Sequence, residues 1–148
     1  MFATVTESDP RPVRVLAVED DRLSRVLIEE TLSDFNAVEL TTATTVADGV
    51  LLLASQLVFD VVLLDWRLDG RPAQTILDVA SLLPPHRRPR VVLVTGSILP
   101  DEIRNLVPQQ IDRILMKPIE LEDLLEVVLG AAREHRSGGA VGDASMSA

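Results

Sequence analysis

The chain alternates between short, nearly all-apolar runs and longer segments in which apolar residues recur at helical spacing. The runs "VRVLAV" (13–18), "VVLLD" (61–65), "VVLVTG" (91–96) and "RILM" (113–116) are typical of strands buried on both faces. The weaker run "AVELTT" (37–42) predicts one more strand. The pattern therefore predicts five strands, most of them in the interior of a sheet.

Amphipathic helices are predicted between these strands, because apolar residues recur there every three or four positions. The first two helices follow N-cap candidates at 20–21 and 44–45. The third covers 76–83 and ends at "PPHRRP", whose prolines cannot continue a helix. A short fourth helix is expected at about 101–107. The last helix carries a clean apolar stripe formed by Leu121, Leu124, Leu125, Val128, Leu129 and Ala132.

Strand and helix alternate through five β-α units, so we predict an α/β fold in which helices cover both faces of a parallel sheet. The expected architecture is a three-layer α/β/α sandwich. A closed eight-fold barrel is excluded because it needs about 250 residues, and this chain has 148. The predicted folded unit is 13–135, with a flexible lead-in (1–12) before it and a disordered tail (136–148) after it.

Composition narrows the classes of function. A net charge of −9 argues against a nucleic-acid-binding domain, which needs a basic face. The absence of cysteine excludes disulfides, thiolate metal sites and cysteine nucleophiles. No apolar run approaches the roughly 18 residues of a membrane span, and the N-terminus lacks the pattern of a signal peptide. We therefore expect a cytoplasmic protein with neither a membrane nor a nucleic acid as partner.

Polar residues follow the strongest strands at the point where each strand ends. In chain order they are Glu19, Asp20, Asp65, Thr95, Gly96 and Lys117. Taken singly, each residue is explained as a helix cap, a turn residue or a solvated surface charge. Parallel strands all end at one edge of a sheet, however, and that edge is where such folds bind ligands. The set as a whole therefore predicts one site.

The charges at this edge indicate a bound cation. Three carboxylates would lie together, and Lys117 offsets only one negative charge. Oxygen ligands suit Mg²⁺ or Mn²⁺, whereas zinc is disfavoured because neither His86 nor His135 lies at a strand end. A carboxylate beside a cation, a lysine and a hydroxyl is an arrangement for phosphoryl transfer. Gly96 leaves space beside Thr95 for the phosphoryl group.

The sequence resembles the receiver domains of two-component response regulators. Four stretches carry the resemblance, in the family's order: "VLAVEDD", "VVLLDW", "VVLVTG" and "LMKP". The resemblance covers about 13–135 and implies the flavodoxin-like (CheY-like) strand order 2-1-3-4-5.

The resemblance also implies a metal site that holds Mg²⁺ or Mn²⁺. Asp65 would be both the phosphoacceptor and a metal ligand. Asp20 would bind the metal directly, Glu19 through water, and Arg67 through its backbone carbonyl.

The phosphoryl group would be bound by two further residues. Thr95 would contact it and reorient on phosphorylation, and Lys117 would pair with its oxygens. The Lys117–Pro118 peptide bond would be cis, an isomer that X–Pro bonds tolerate.

The sequence departs from the family at two places. The family usually has an aromatic switch residue three positions before the lysine, and here that residue is Ile114. The usual proline after the phosphoacceptor is replaced by Asp69, and the usual glycine by Ala73, while Gly70 lies between them. These departures leave open how the output is switched and what shape this loop takes.

By resemblance, we expect a stand-alone response regulator that accepts a phosphoryl group from a sensor histidine kinase or a histidine phosphotransfer protein. It would dock its kinase near Leu23 and Ile119 and act on a downstream protein target without turning over a separate substrate. A phosphorylation-dependent homodimer is left open. Two rival hypotheses are an adaptor that signals by binding alone and a magnesium phosphohydrolase that uses Asp65 as nucleophile.

Overall fold

The structure, a computed structural model, describes residues 11–68, 71–96 and 109–147. Within these residues a parallel sheet is built from β1 (Val13–Val18), β2 (Val38–Ala43), β3 (Val61–Asp65), β4 (Arg90–Thr95) and β5 (Arg113–Met116). The strand order is β2-β1-β3-β4-β5. The predicted fold class is confirmed, and this sheet has the predicted order.

A separate antiparallel ribbon directly follows β3 and was not predicted. It pairs Arg67–Leu68 with Arg71–Pro72, and we call it the 67–72 ribbon.

Helices cover both faces of the sheet. Those in the described residues are α1 (Arg22–Ser33), α2 (Val46–Ala54), α3 (Gln74–Leu82) and α4 (Leu121–Ser147), with a 3₁₀ turn at Pro85–Arg87. The helix predicted at 101–107 lies outside the described residues.

The structure decides between the N-cap candidates of the first two helices. Asp21 accepts a hydrogen bond from the backbone N–H of Ser24 at 2.9 Å and so caps α1. Thr45 accepts one from the backbone N–H of Asp48 at 3.1 Å and so caps α2. Each side chain satisfies a backbone donor that the helix itself leaves unpaired.

Two apolar clusters hold the three layers together. One lies between the sheet and α2 and α3, and it includes Leu53 and Ile76. The other lies between the sheet and α1 and α4, and it includes Ile28, Leu124 and Val128. Most of the apolar stripe of the last helix is therefore part of the core, whereas Leu121 at its start is 50% exposed.

Strand β3 is buried along its whole length and contributes to both clusters. Leu63 packs with α1 and α4, whereas Leu64 and Trp66 pack with α2 and α3. This alternation places Asp65 on the side of the chain opposite Trp66. The core thus determines the direction in which Asp65 projects.

The last helix is longer than its apolar stripe predicts. The helix extends to Ser147, and the disorder expected from residue 136 on stays a prediction. Arg136 anchors the helix at the predicted boundary, because its guanidinium donates to the carbonyls of Arg11 and Pro12 at 3.3 and 3.0 Å. Residues 1–10 of the predicted lead-in lie outside the described residues.

Asp60, directly before β3, ties together elements that are distant in sequence. It is 8% exposed and accepts hydrogen bonds from Arg14 N at 2.9 Å, His135 Nδ1 at 3.0 Å and Arg136 Nη2 at 3.2 Å. Burial raises the pKa of Asp60, but these donors and the charge of Arg136 outweigh burial and lower that pKa to about 2. The sequence pattern carries no signal for this cluster, since its partners are 46 to 76 residues away.

We predict that Asp60→Asn destabilises the protein at neutral pH. The folded-state pKa of about 2 lies below the ordinary value of 3.8, so the ionised carboxylate stabilises the fold at pH values above 3.8, and this stabilisation is lost as pH falls towards 2. The expected loss at neutral pH is on the order of 2 kcal/mol. Urea unfolding followed by circular dichroism measures it.

The matched control is Glu39→Gln, because Glu39 is an exposed carboxylate whose contact with Arg14 is long, at 3.9 Å. We expect this control to unfold like the wild type at every pH. A penalty for Asp60→Asn that stays constant from neutral pH down to about pH 2 would contradict the assignment.

Candidate functional site

The carboxyl ends of β1, β3 and β5 bring together Glu19, Asp20, Asp65 and Lys117. One carboxylate oxygen from each of the three acids lies within 4.8 Å of the other two. Lys117 Nζ lies 3.0 Å from Glu19 Oε1 and 3.5 Å from Asp65 Oδ2. Residues almost a hundred positions apart thus form one cluster, as the strand-end pattern predicted.

The acid pair after β1 is held by its backbone as well as by its side chains. Glu19 is 2% exposed, its N–H donates to Ala43 O at 3.0 Å, and its Oε2 accepts from Asp21 N at 3.1 Å. Arg25 Nη1 lies 3.4 and 3.5 Å from the carbonyl oxygens of Glu19 and Asp20. The first turn of α1 and the end of β2 therefore position both acids.

The carboxyl group of Asp65 carries the strongest electrostatic strain of the site. Burial and the neighbouring Glu19 carboxyl raise the pKa of Asp65 to about 7, although Lys117 and the N–H of Arg67 act in the opposite direction. For Lys117, burial lowers the pKa, but Glu19 and Asp65 outweigh burial and raise it. Lys117 thus stays charged and only partly neutralises the acids.

These acids fit a divalent cation that prefers oxygen ligands. One oxygen from each acid lies within 4.8 Å of the other two, a cluster that could hold one ion. Glu19 Oε1 is buried and makes no hydrogen bond of good geometry, although Lys117 Nζ lies close to it as an ion pair. Buried oxygens with surplus negative charge match the ligand preference of Mg²⁺ or Mn²⁺.

The end of β4 supplies a hydroxyl and an open position beside Lys117. Thr95 is 4% exposed, and its carbonyl accepts a hydrogen bond from Lys117 N at 2.8 Å. A Cβ at Gly96 would lie 3.7 Å from the Cβ and 3.9 Å from the Cδ of Lys117. Glycine therefore leaves free the space against Lys117 that a Cβ would fill.

The remaining sequence-predicted residues are placed as follows. The Lys117–Pro118 peptide bond is cis, as predicted. Ile114 is half-buried, lies beside Leu93 in the sheet and packs against the α2/α3 core cluster. Arg67 has an exposed side chain, and its backbone N–H donates to Asp65 Oδ1 at 3.4 Å.

The 67–72 ribbon is the feature next to the site that sequence reasoning missed. Its signal was present, because "LDGRP" contains an Asp-Gly pair, a strong indicator of a hairpin. Residues 69–70 themselves lie outside the described residues.

A family model described as the response regulator receiver domain matches residues 15–129. The chain belongs to this family. That membership is consistent with a role in two-component signalling. No curated protein matches the chain. In the part of this receiver domain that the structure describes, no helix is long and apolar enough to cross a membrane.

Solved structures show the same fold. A CheY-like response regulator receiver domain protein from Methanospirillum hungatei is 23% identical, with a TM-score of 0.74 over 86% of this chain and 98% of that one. The signal receiver domain of an HD domain-containing protein from Pseudomonas fluorescens is 23% identical, with a TM-score of 0.77 over 89% and 94%. The receiver domain of a sensor histidine kinase from Pseudomonas aeruginosa is 19% identical, with a TM-score of 0.70 over 82% and 98%, and its structure has a magnesium ion coordinated in the active site cleft.

We predict that Asp65→Asn stabilises the receiver domain at alkaline pH in the presence of a chelator. The folded-state pKa of about 7 lies above the ordinary value of 3.8, so ionisation of Asp65 opposes folding, and this cost grows as pH rises from 3.8 to 7. The expected gain for the variant above pH 7 is on the order of 1–3 kcal/mol, and it disappears towards pH 4. Thermal unfolding across this pH range measures it.

The control for this comparison is Asp48→Asn, an exposed acid in the first turn of α2 at the same edge of the sheet. The control should not gain stability with rising pH. An Asp65→Asn variant that is less stable than the wild type at alkaline pH, with chelator present, would contradict the raised pKa of Asp65.

Proposed function

We propose that the receiver domain accepts a phosphoryl group on Asp65 from the phosphohistidine of a sensor histidine kinase or a histidine phosphotransfer protein. The observation that carries the proposal is the cluster itself: a buried carboxylate with a lysine ammonium 3.5 Å away and two further acids whose oxygens lie within 4.8 Å of it and of each other. Family membership supports the same reaction.

The residues divide the chemistry between them. An ionised oxygen of Asp65 attacks phosphorus and forms an O–P bond as the N–P bond to the donor histidine breaks. The electron pair of that bond returns to the imidazole, which takes up a proton. Lys117 holds positive charge beside the phosphoryl oxygens, and the Thr95 hydroxyl binds one of them.

A divalent cation, Mg²⁺ or Mn²⁺, would be held by Glu19, Asp20, Asp65 and the backbone carbonyl of Arg67. When bound, it neutralises the carboxylates and the phosphoryl oxygens that approach them. We infer that the receiver domain takes part in this reaction as an acceptor and turns over no separate substrate.

The phosphorylated receiver domain then signals by binding another protein. Phosphorylation shifts an existing equilibrium between two packings of the domain, and the favoured packing binds a downstream protein or a second copy. For docking of the kinase, we favour the surface beside the site that carries Leu23, which is 81% exposed on α1, and Ile119, which follows the cis proline.

A phosphorylation-independent adaptor is the second candidate. It is favoured by Ile114, which packs half-buried against the core and offers no aromatic ring to couple to Thr95. The two candidates differ in one property: an adaptor binds its partner equally well as wild type and as Asp65→Asn, whereas a phosphoacceptor does not.

We predict that acetyl phosphate and Mg²⁺ add one phosphoryl group to the wild type, stable in acid and labile in base. Asp65→Asn should show no such mass increase, because an amide cannot replace the carboxylate as nucleophile. Intact-protein mass spectrometry measures both. Asp48→Asn removes an exposed carboxylate at the same edge and should be phosphorylated like the wild type. An increase that survives Asp65→Asn, or none in the wild type, would contradict the proposed function.

A further inference from the structure

The 67–72 ribbon determines which way the backbone after the phosphoacceptor faces. Arg67 lies opposite Pro72, and Leu68 lies opposite Arg71. In an antiparallel pair, opposite residues alternate between exchanging both backbone hydrogen bonds and exchanging none. Pro72 has no N–H to donate, so the pair that exchanges hydrogen bonds is Leu68 with Arg71.

The backbone of Arg67 therefore faces away from its ribbon partner. In such a pair the N–H and the C=O of one residue point to the same side. The N–H of Arg67 points to Asp65, since it lies 3.4 Å from Oδ1. The carbonyl of Arg67 is thus directed to the side of the acid cluster and is not used by the ribbon.

The base of the ribbon is fixed by the core. Leu68 is 1% exposed and belongs to the α2/α3 core cluster. The carbonyl of Trp66 accepts a hydrogen bond from Ala73 N at 2.8 Å, and its N–H donates to Val94 O at 3.3 Å. Both neighbours of Arg67 are therefore held in place, while the exposed Arg67 side chain contributes no anchor.

We propose that the 67–72 ribbon is a positioning device for the metal site and that Leu68 is its anchor. By filling its place in the core, Leu68 holds the Arg67 carbonyl on the side of Asp65 before any cation arrives. Leu68 is a positioning residue, because it acts only through the backbone of its neighbour. This inference rests on the proposed function, since it concerns the cation that the phosphoacceptor site uses.

Isothermal titration of Mg²⁺ into the full chain, at one pH and without a phosphoryl donor, tests the proposal. Leu68→Ala should raise the dissociation constant about tenfold, the effect typical of residues that orient metal ligands. Leu68→Met, which refills the space with an unbranched chain, should bind almost like the wild type. Leu53→Ala truncates another leucine of the same core cluster, 2% exposed but on α2, and should leave Mg²⁺ affinity unchanged.

The outcomes separate positioning from general loosening of the core. Wild-type affinity in Leu68→Ala, or an equal loss in Leu68→Ala and Leu53→Ala, would overturn the proposal and leave the proposed function standing. If circular dichroism shows that Leu68→Ala does not fold, Leu68→Val takes its place, with an expected weakening smaller than about tenfold, and wild-type affinity in that variant would overturn the proposal. Absence of Mg²⁺ binding by the wild type would overturn the metal site itself.

Discussion

The concentration of negative charge at one edge of the sheet is the constraint on which the rest of this receiver domain depends. Glu19 and Asp65 are buried at 2% and 8% exposure, and Lys117 is the ammonium that contacts both. Burial of charge is costly unless a counter-charge or a cation compensates it. The acids lie close in spite of this cost, because they are at the carboxyl ends of β1 and β3, which pair directly with each other in the sheet. The same charge surplus fits the divalent cation that the site is proposed to bind, and it raises the pKa of Lys117, which keeps the ammonium protonated.

The two ends of strand β3 contrast a carboxylate that ties the fold together with the carboxylate that we propose as the phosphoacceptor. Asp60, before its amino end, is surrounded by donors, and its pKa is lowered to about 2. Asp65, at its carboxyl end, lies beside another acid, and its pKa is raised to about 7. Both residues are 8% exposed, so burial does not distinguish them, and the neighbouring groups do. A carboxylate stabilised like Asp60 would be a poor nucleophile, whereas the strain at Asp65 would be relieved by the cation that the site is proposed to bind.

Much of the fold and of the site could be predicted from the sequence, because both depend on regular patterns. The apolar runs gave the strands, and the rule that parallel strands end together brought Asp65 to Lys117. The sequence could not reveal the contacts of Asp60, since its donors lie 46 to 76 residues away and no period connects them. The sequence also could not reveal how Arg136 anchors α4, because its guanidinium donates to carbonyls of Arg11 and Pro12 that carry no side-chain signal. The 67–72 ribbon was missed although its Asp-Gly signal was visible. Asp69 was compared with the proline that the family usually has at this position, and the Asp-Gly pair was not interpreted as a hairpin turn.

The proposed site depends most directly on one property of Asp65: its carboxylate is strained without a cation and relaxed with one. Carbon-13 NMR of the side-chain carboxyl groups, titrated against pH with chelator and again with Mg²⁺, measures this property at the residue itself, and the Asp65→Asn spectrum assigns the signal. We expect Asp65 to titrate near pH 7 with chelator, as its raised pKa of about 7 requires, and well below that value with Mg²⁺. A carboxyl that titrates near its ordinary value of 3.8 under both conditions would contradict the account.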